Sequence, residues 1–163
     1  MRDKIIQASI ESIRKEGLRF SVDSLANHLK ISKKTIYKYF PDKEALATAL
    51  YEKIFYDASI NANILKQQST AASKKKLLSL YFDCKWVTRN EMFNKYTLNQ
   101  TICAYTAEKL DALWEIIAAS IEMEGSDKFK EADRIIVDGS FEKLCNIGIW
   151  PDAVIERLVN LLW

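Results

Sequence analysis

The sequence predicts an all-α protein: an N-terminal three-helix unit of helix-turn-helix form, then a larger C-terminal helical domain. Three observations predict it. Only 4 glycines and 2 prolines interrupt the 163 residues. Between them the apolar residues recur at the helical period and do not alternate, which argues against strands. Two short, capped segments fall within about 20 residues and are joined by a small turn, which are helix-turn-helix dimensions.

Ile6, Ile10 and Ile13 stand at i, i+4 and i+7 among Asp3, Lys4, Glu11, Arg14 and Lys15, so the first helix has one buried stripe and one wet face. Gly17 occupies the place of a C-cap. Ser21 caps a short second helix whose inward residues are Leu25, Ala26 and Leu29. Leu29-Lys30-Ile31 makes the turn. Ser32 then caps a third helix that stops near Phe40, because Pro41 pushes the residue before it out of the α region. Asp42 caps a fourth, with Glu44 also favourable at its positive end, and Ala45, Leu46, Ala49, Leu50 and Ile54 carry it toward residue 60 or beyond. Lys66 to Ser73 is polar and small and reads as a loop or a frayed helix end. Amphipathic segments follow at 74–89, 92–103 and 106–124. Gly125 closes the last of these, and Ser126 or Asp127 caps another that runs to about Asn146. Gly148 and Pro151 mark the break before a terminal helix.

Composition fits a packed soluble chain. Hydrophobic residues make up 48%, charged residues 28% and aromatics 11%, outside the regime of disordered sequences. No stretch approaches the roughly 18 apolar residues of a membrane helix, and the charged start lacks the apolar run of a signal peptide, so a cytoplasmic location is expected. Cys84, Cys103 and Cys145 are odd in number and widely spaced, which suits reduced thiols better than a disulfide or zinc framework. The net charge of +2 is unevenly spread: residues 1–56 carry 11 Lys or Arg against 7 Asp or Glu, and the remainder 13 against 15. The basic end is the candidate for a polyanion, since neutralising phosphates releases condensed counterions.

In Ser32 to Phe40 (SKKTIYKYF), Ile36 and Phe40 share one face and would lock the third helix onto the first two. Lys33, Lys34, Thr35, Tyr37 and Lys38 are left pointing outward. Lysine amines can donate to guanine or phosphate, the Thr35 methyl can meet thymine, and the phenols of Tyr37 and Tyr39 can reach backbone oxygens. Ser21 and Lys43 stand at helix starts, where flanking phosphates would lie. A lysine cluster on a helix is ordinarily a solvated face. This one falls on the second helix of a helix-turn-helix with two tyrosines exposed beside it, which favours DNA.

At these residues the chain resembles the tetracycline-repressor (TetR) family of bacterial regulators. The resemblance spans about residues 4–50, centred on FSVDSLANHLKISKKTIYKYFPDKEAL, and Leu29-Lys30-Ile31 stands where many relatives have glycine in the turn. It implies a DNA-binding helix-turn-helix domain over residues 1–45 and a helical regulatory and dimerisation domain over residues 46–163. Lys33, Lys34, Thr35, Tyr37 and Lys38 would contact bases or phosphate, and Tyr39, Lys43 and Ser21 phosphate. It further implies a homodimer whose two headpieces read a palindromic operator in successive major grooves, about 34 Å apart. A small-molecule effector would shift the fourth helix and so release a repressor from its operator, the two ligands being coupled by about 1–3 kcal/mol.

Tyr81, Phe82, Trp86, Phe93, Tyr96, Tyr105 and Trp114 lie in the middle helices. As a group they suit a pocket for a flat or hydrophobic effector; one by one they suit plain core packing. The last two helices are apolar over more of their circumference than a one-sided helix needs, which, with the resemblance, makes Phe129, Ile136, Gly139, Ile155, Leu158 and Leu162 dimer-interface candidates. No enzyme is expected. His28 is the one histidine, and there is no Gly-rich phosphate loop and no His/Cys metal spacing, so neither catalytic residues, a metal nor a cofactor is expected. The rival reading is a constitutive DNA-binding or protein-interaction module without an effector.

Overall fold

The computed structural model describes residues 1–16, 21–89, 99–123, 130–147 and 152–163. Among these, eight α-helices and no strands occur: α1 (Arg2–Glu16), α2 (Val22–Leu29), α3 (Lys33–Tyr39), α4 (Lys43–Gln68), α5 (Ala71–Thr88), α6 (Asn99–Glu122), α7 (Lys130–Ile147) and α8 (Asp152–Leu162). The chain forms two compact units, one of residues 1–57 and 84–109, the other of residues 58–83 and 110–163.

In the first unit α1 packs on α2 and α2 on α3. Ile6, Ile10 and Ile13 are buried as their spacing demands, with Ile5, Leu25, Ile36 and Phe40. Both short helices are capped. The Ser21 hydroxyl accepts from Ser24 N–H at 3.0 Å, and the Ser32 hydroxyl from Thr35 N–H at 3.1 Å. Phe40 is extended (φ −133°, ψ 102°) ahead of Pro41, and the Asp42 carboxylate accepts from Ala45 N–H at 2.7 Å to start α4.

The turn between α2 and α3 closes without glycine. Lys30 adopts the left-handed conformation (φ 54°, ψ 42°). Its N–H donates to the Asn27 carbonyl, and Ile31 N–H donates to the Ala26 carbonyl. That pair of bonds is a Schellman closure, the job glycine usually performs because it has no Cβ to strain.

Three helix boundaries differ from the expectation. α4 runs on through Gln68, so the loop shrinks to Ser69 and Thr70. α5 begins at Ala71, because Thr70 and Ser73 cap each other: Ser73 N–H donates to Thr70 Oγ1 at 3.1 Å and Thr70 N–H to Ser73 Oγ at 2.8 Å. α6 is one helix through residues 103–106, where a break had been expected. The Thr106 hydroxyl there turns back onto the Cys103 carbonyl and leaves the helical ladder intact. Gly17, Gly125, Ser126, Asp127, Gly148 and Pro151 lie outside the described residues.

The second unit has its own core of Leu77, Leu78, Tyr81, Phe82, Leu113, Trp114, Ile117, Val137 and Phe141. No described helix is long and apolar enough to cross a membrane.

Candidate nucleic-acid interface

α3 is seven residues long, too short to persist without anchorage. Ile36, fully buried, and Phe40 behind it supply that anchorage, and the Arg2 guanidinium lies 5.2 Å from the centre of the Phe40 ring. With these two residues turned inward, Lys33, Lys34, Tyr37, Lys38 and Tyr39 are exposed and Thr35 is half-buried. Tyr37 and Tyr39 are 37% and 42% exposed, which is unusual for two aromatics on one short helix and leaves both phenols reachable by a ligand.

Two of the expected hydroxyl contacts already have local work. The Thr35 hydroxyl shares a 2.9 Å hydrogen bond with Ser32 Oγ, so it is the Thr35 methyl that remains for an apolar contact. Ser21 Oγ accepts the α2 cap bond but keeps its own proton to donate. Lys43 is half-buried at the start of α4. His28 is exposed on α2.

The lysines are not equivalent. Lys33 Nζ sits 2.8 Å from Asp23 Oδ1, and that hydrogen bond is the main reason its ammonium holds its proton more tightly than an ordinary lysine. Lys34 and Lys38 have no acidic partner among the described residues. Asp23 and Arg2 were both missed in the sequence. Asp23 reads there as an ordinary acidic residue in a helix first turn, and no spacing rule places it against a residue ten positions on, across a turn.

Residues 5–50 match the family described as bacterial regulatory proteins, tetR family. Among curated proteins, the chain is similar to uncharacterized HTH-type transcriptional regulators from two Mycobacterium tuberculosis strains, ATCC 25618 / H37Rv and CDC 1551 / Oshkosh. Identity to each is 39% over 49 residues, 30% of this chain. Over residues 5–50 the chain therefore carries a TetR-type domain. The matched stretch spans only 21% of the length of either relative, and no solved structure matches significantly. The names of both relatives describe transcriptional regulators. No group of three or more His, Cys, Asp or Glu is arranged to hold a metal among the described residues.

Beyond the TetR headpiece, the aromatic candidates do not form one set. Tyr81, Phe82 and Trp114 belong to the second unit, where all three are buried. Tyr81 lies 5.7 Å from Trp114 between ring centres, and Phe82 lies 5.4 Å from Phe141. They fill the core of that unit. Trp86 and Tyr105 belong to the first unit; Trp86 is exposed, and Tyr105 meets Phe55 edge-on at 6.4 Å. Phe93 and Tyr96 lie outside the described residues. A cavity of about 370 Å³ is present in the second unit but has no aromatic wall: Ala71, Ala72, Lys75, Glu156, Val159 and Asn160 line it.

The interface candidates divide in the same way. Ile155, Leu158 and Leu162 are buried within the second unit, which leaves them little surface to offer another chain. Ile136 is exposed, and so is Gly139, where an added Cβ would meet nothing within 4 Å. Phe129 lies outside the described residues. On α7 the inward stripe is Val137, Phe141 and Leu144, so Ala132, Ile135, Ile136 and Gly139 form a second, outward apolar stripe, with Ile135 68% exposed. On α8, Leu161 is exposed too.

Proposed function

We propose that the protein is a ligand-responsive repressor, a homodimer that binds a palindromic operator through α3 and is released by a small-molecule effector. The observation that carries the DNA part is the division of α3 into a buried anchor, Ile36, and an outward side of three lysines and two exposed tyrosines. On this reading Lys33, Lys34, Thr35, Tyr37 and Lys38 meet base edges and phosphates in the major groove, while Ser21, Tyr39 and Lys43 meet flanking phosphates. The domain division at residue 45, between headpiece and regulatory part, belongs to the same proposal, as does action in the cytoplasm.

The outward stripe of α7 supports the homodimer. Four uncharged residues at i, i+3, i+4 and i+7 make a face that water does not favour, and a twofold axis would set it against its own copy. Ile135→Asp together with Ile136→Asp should turn a dimer into a monomer in sedimentation; a wild-type chain that sediments as a monomer sinks this part.

The effector has less support. The 370 Å³ cavity falls within the size range of small-molecule sites, but the burial of Tyr81, Phe82 and Trp114 favours a second reading, a DNA-binding module with no effector. One experiment addresses both. Duplexes selected by the protein from genomic fragments should bind with an affinity that drops steeply as salt rises, and Lys43→Ala should flatten that dependence by about one unit. Failure to retain any duplex at low salt rejects the DNA reading. If every compound that binds the protein leaves the duplex affinity unchanged, the second reading replaces the first.

A further inference from the structure

Three lysines share the outward side of α3, yet only Lys33 is held by a carboxylate among the described residues. Its partner, Asp23, is in the first turn of α2, and both side chains are largely in solvent, 54% and 69% exposed for Lys33 and Asp23. An ion pair as exposed as this contributes little to folding. It does, however, change the charge that the headpiece presents to a polyanion at one point.

We propose that Asp23 is a specificity-determining residue of the DNA face: on DNA of arbitrary sequence it holds the Lys33 ammonium away from the phosphate backbone, and it yields Lys33 to the groove where the other residues of α3 fit the bases. The proposal rests on the DNA reading above. Affinity for DNA of arbitrary sequence comes almost wholly from lysine and arginine displacing counterions from phosphates. A lysine already neutralised by its own protein must give up that partner before it can do so, and the carboxylate then remains beside a negatively charged backbone. Lys34, Lys38 and the tyrosines bear no such cost. Asp23 therefore weakens binding to every sequence through the backbone, and weakens it least where base-edge contacts by the other residues fix the complex. Specificity is the difference between those affinities, and it is raised as effectively by penalising wrong sites as by improving the right one.

The test is a double-mutant cycle on the full chain with two probes: short duplexes of random sequence, and duplexes the protein has selected from that pool. Asp23→Asn should steepen the salt dependence on random duplexes by about 0.9 log units per log unit, or about eightfold tighter binding at 0.1 M when referred to 1 M salt. On selected duplexes the gain should be smaller. On random duplexes Lys33→Ala should scarcely alter the salt dependence in the wild-type background but flatten it by about 0.9 where Asp23 is already Asn. Equal flattening in both backgrounds, or equal tightening on both probes, overturns the proposal. The absence of any duplex binding by the wild type at low salt would instead remove the DNA reading itself. Both side chains are exposed, so the thermal midpoint should move by no more than the few degrees that a lost first-turn carboxylate costs α2.

Discussion

Residues 21–42 and the helices α4, α5 and α6 hold their shape by different means. α2 and α3 have 8 and 7 residues, and α4, α5 and α6 have 26, 18 and 24. A one- or two-turn helix leaves most of its end groups without partners, so its limits must be set by side-chain caps and turn chemistry. Ser21, Ser32, Lys30, Pro41 and Asp42 do that over barely twenty positions. A long helix with a buried side is stabilised by packing, and it can run through a residue that would break a short one. The outward sides differ as well: lysine and tyrosine on α3, isoleucine on α7, the first suited to phosphate and base edges and the second to another protein surface.

The sharpest way to break that comparison is to remove the anchor of the short region. Ile36→Ala deletes a fully buried side chain and should cost about 3.5 kcal/mol, the middle of the range for such truncations. Leu161→Ala, at an exposed position on α8, should stay within about 0.5 kcal/mol. Urea midpoints at unchanged m-value measure both. An Ile36→Ala protein as stable as wild type would mean that α3 is not held by the core beneath it.

The same contrast explains what was legible in the sequence. Each cap of the headpiece is a residue type at a required position, and the structure has Ser21, Ser32, Asp42 and Pro41 doing what their chemistry implies. The burial of Ile36 and Phe40 followed from spacing alone. The start of α5 was not legible, because the Thr70–Ser73 capping pair lies inside a polar run that looks like loop. Nor was the continuity of α6, within which the Thr106 hydroxyl turns back onto the Cys103 carbonyl. Aromatic residues at helical spacing do not reveal whether they face a cavity or each other, and Tyr81 and Trp114 face each other. Asp23 was hidden for another reason: its partner is brought to it only by the Lys30 turn.

Alkaline pH sharpens the comparison inside the first unit. Tyr51, on α4, is buried, with its hydroxyl donating to the Val87 carbonyl at 3.2 Å. Burial, and secondarily the Cys103 thiol, push its pKa well above the ordinary value of 10. Below pH 10 the phenol is neutral whether folded or not, and stability is unaffected. Above it the unfolded chain loses the proton that the folded chain keeps, so stability falls as pH rises until the folded group also ionises. The slope from this one residue approaches about 1.4 kcal/mol per pH unit. Tyr51→Phe should lose about 1 kcal/mol at neutral pH through the missing hydrogen bond, then decline less steeply than wild type above pH 10. Parallel pH profiles for the two proteins would show that Tyr51 does not titrate as its burial requires.

In the second unit the corresponding probe is Tyr81. Its hydroxyl donates to Asp138 Oδ1 at 3.0 Å, and Arg134 bridges Asp138 and Asp111, with Nε 3.6 Å from Asp138 Oδ2. Tyr81→Phe keeps the ring contact with Trp114 and removes one donor. Asp138 retains Arg134, so the loss should be about 1 kcal/mol by urea denaturation, smaller than the core truncation. A loss as large as that of Ile36→Ala would mean that this unit depends on its polar network more than on its aromatic core.

The remaining effect has the opposite sign. Lys30 holds a left-handed backbone (φ 54°) that costs a side-chain-bearing residue about 1–2 kcal/mol. Glycine removes that strain but gives the unfolded chain more freedom to lose, which returns roughly half of the gain. Lys30→Gly should therefore stabilise the protein by about 0.5–1 kcal/mol, seen as a higher urea midpoint. Lys30→Ala, which keeps a Cβ, should gain almost nothing, and that difference separates backbone strain from loss of the lysine charge. If alanine stabilised as much as glycine, charge repulsion would be the cause, and the closure of the turn would owe nothing to the geometry at residue 30.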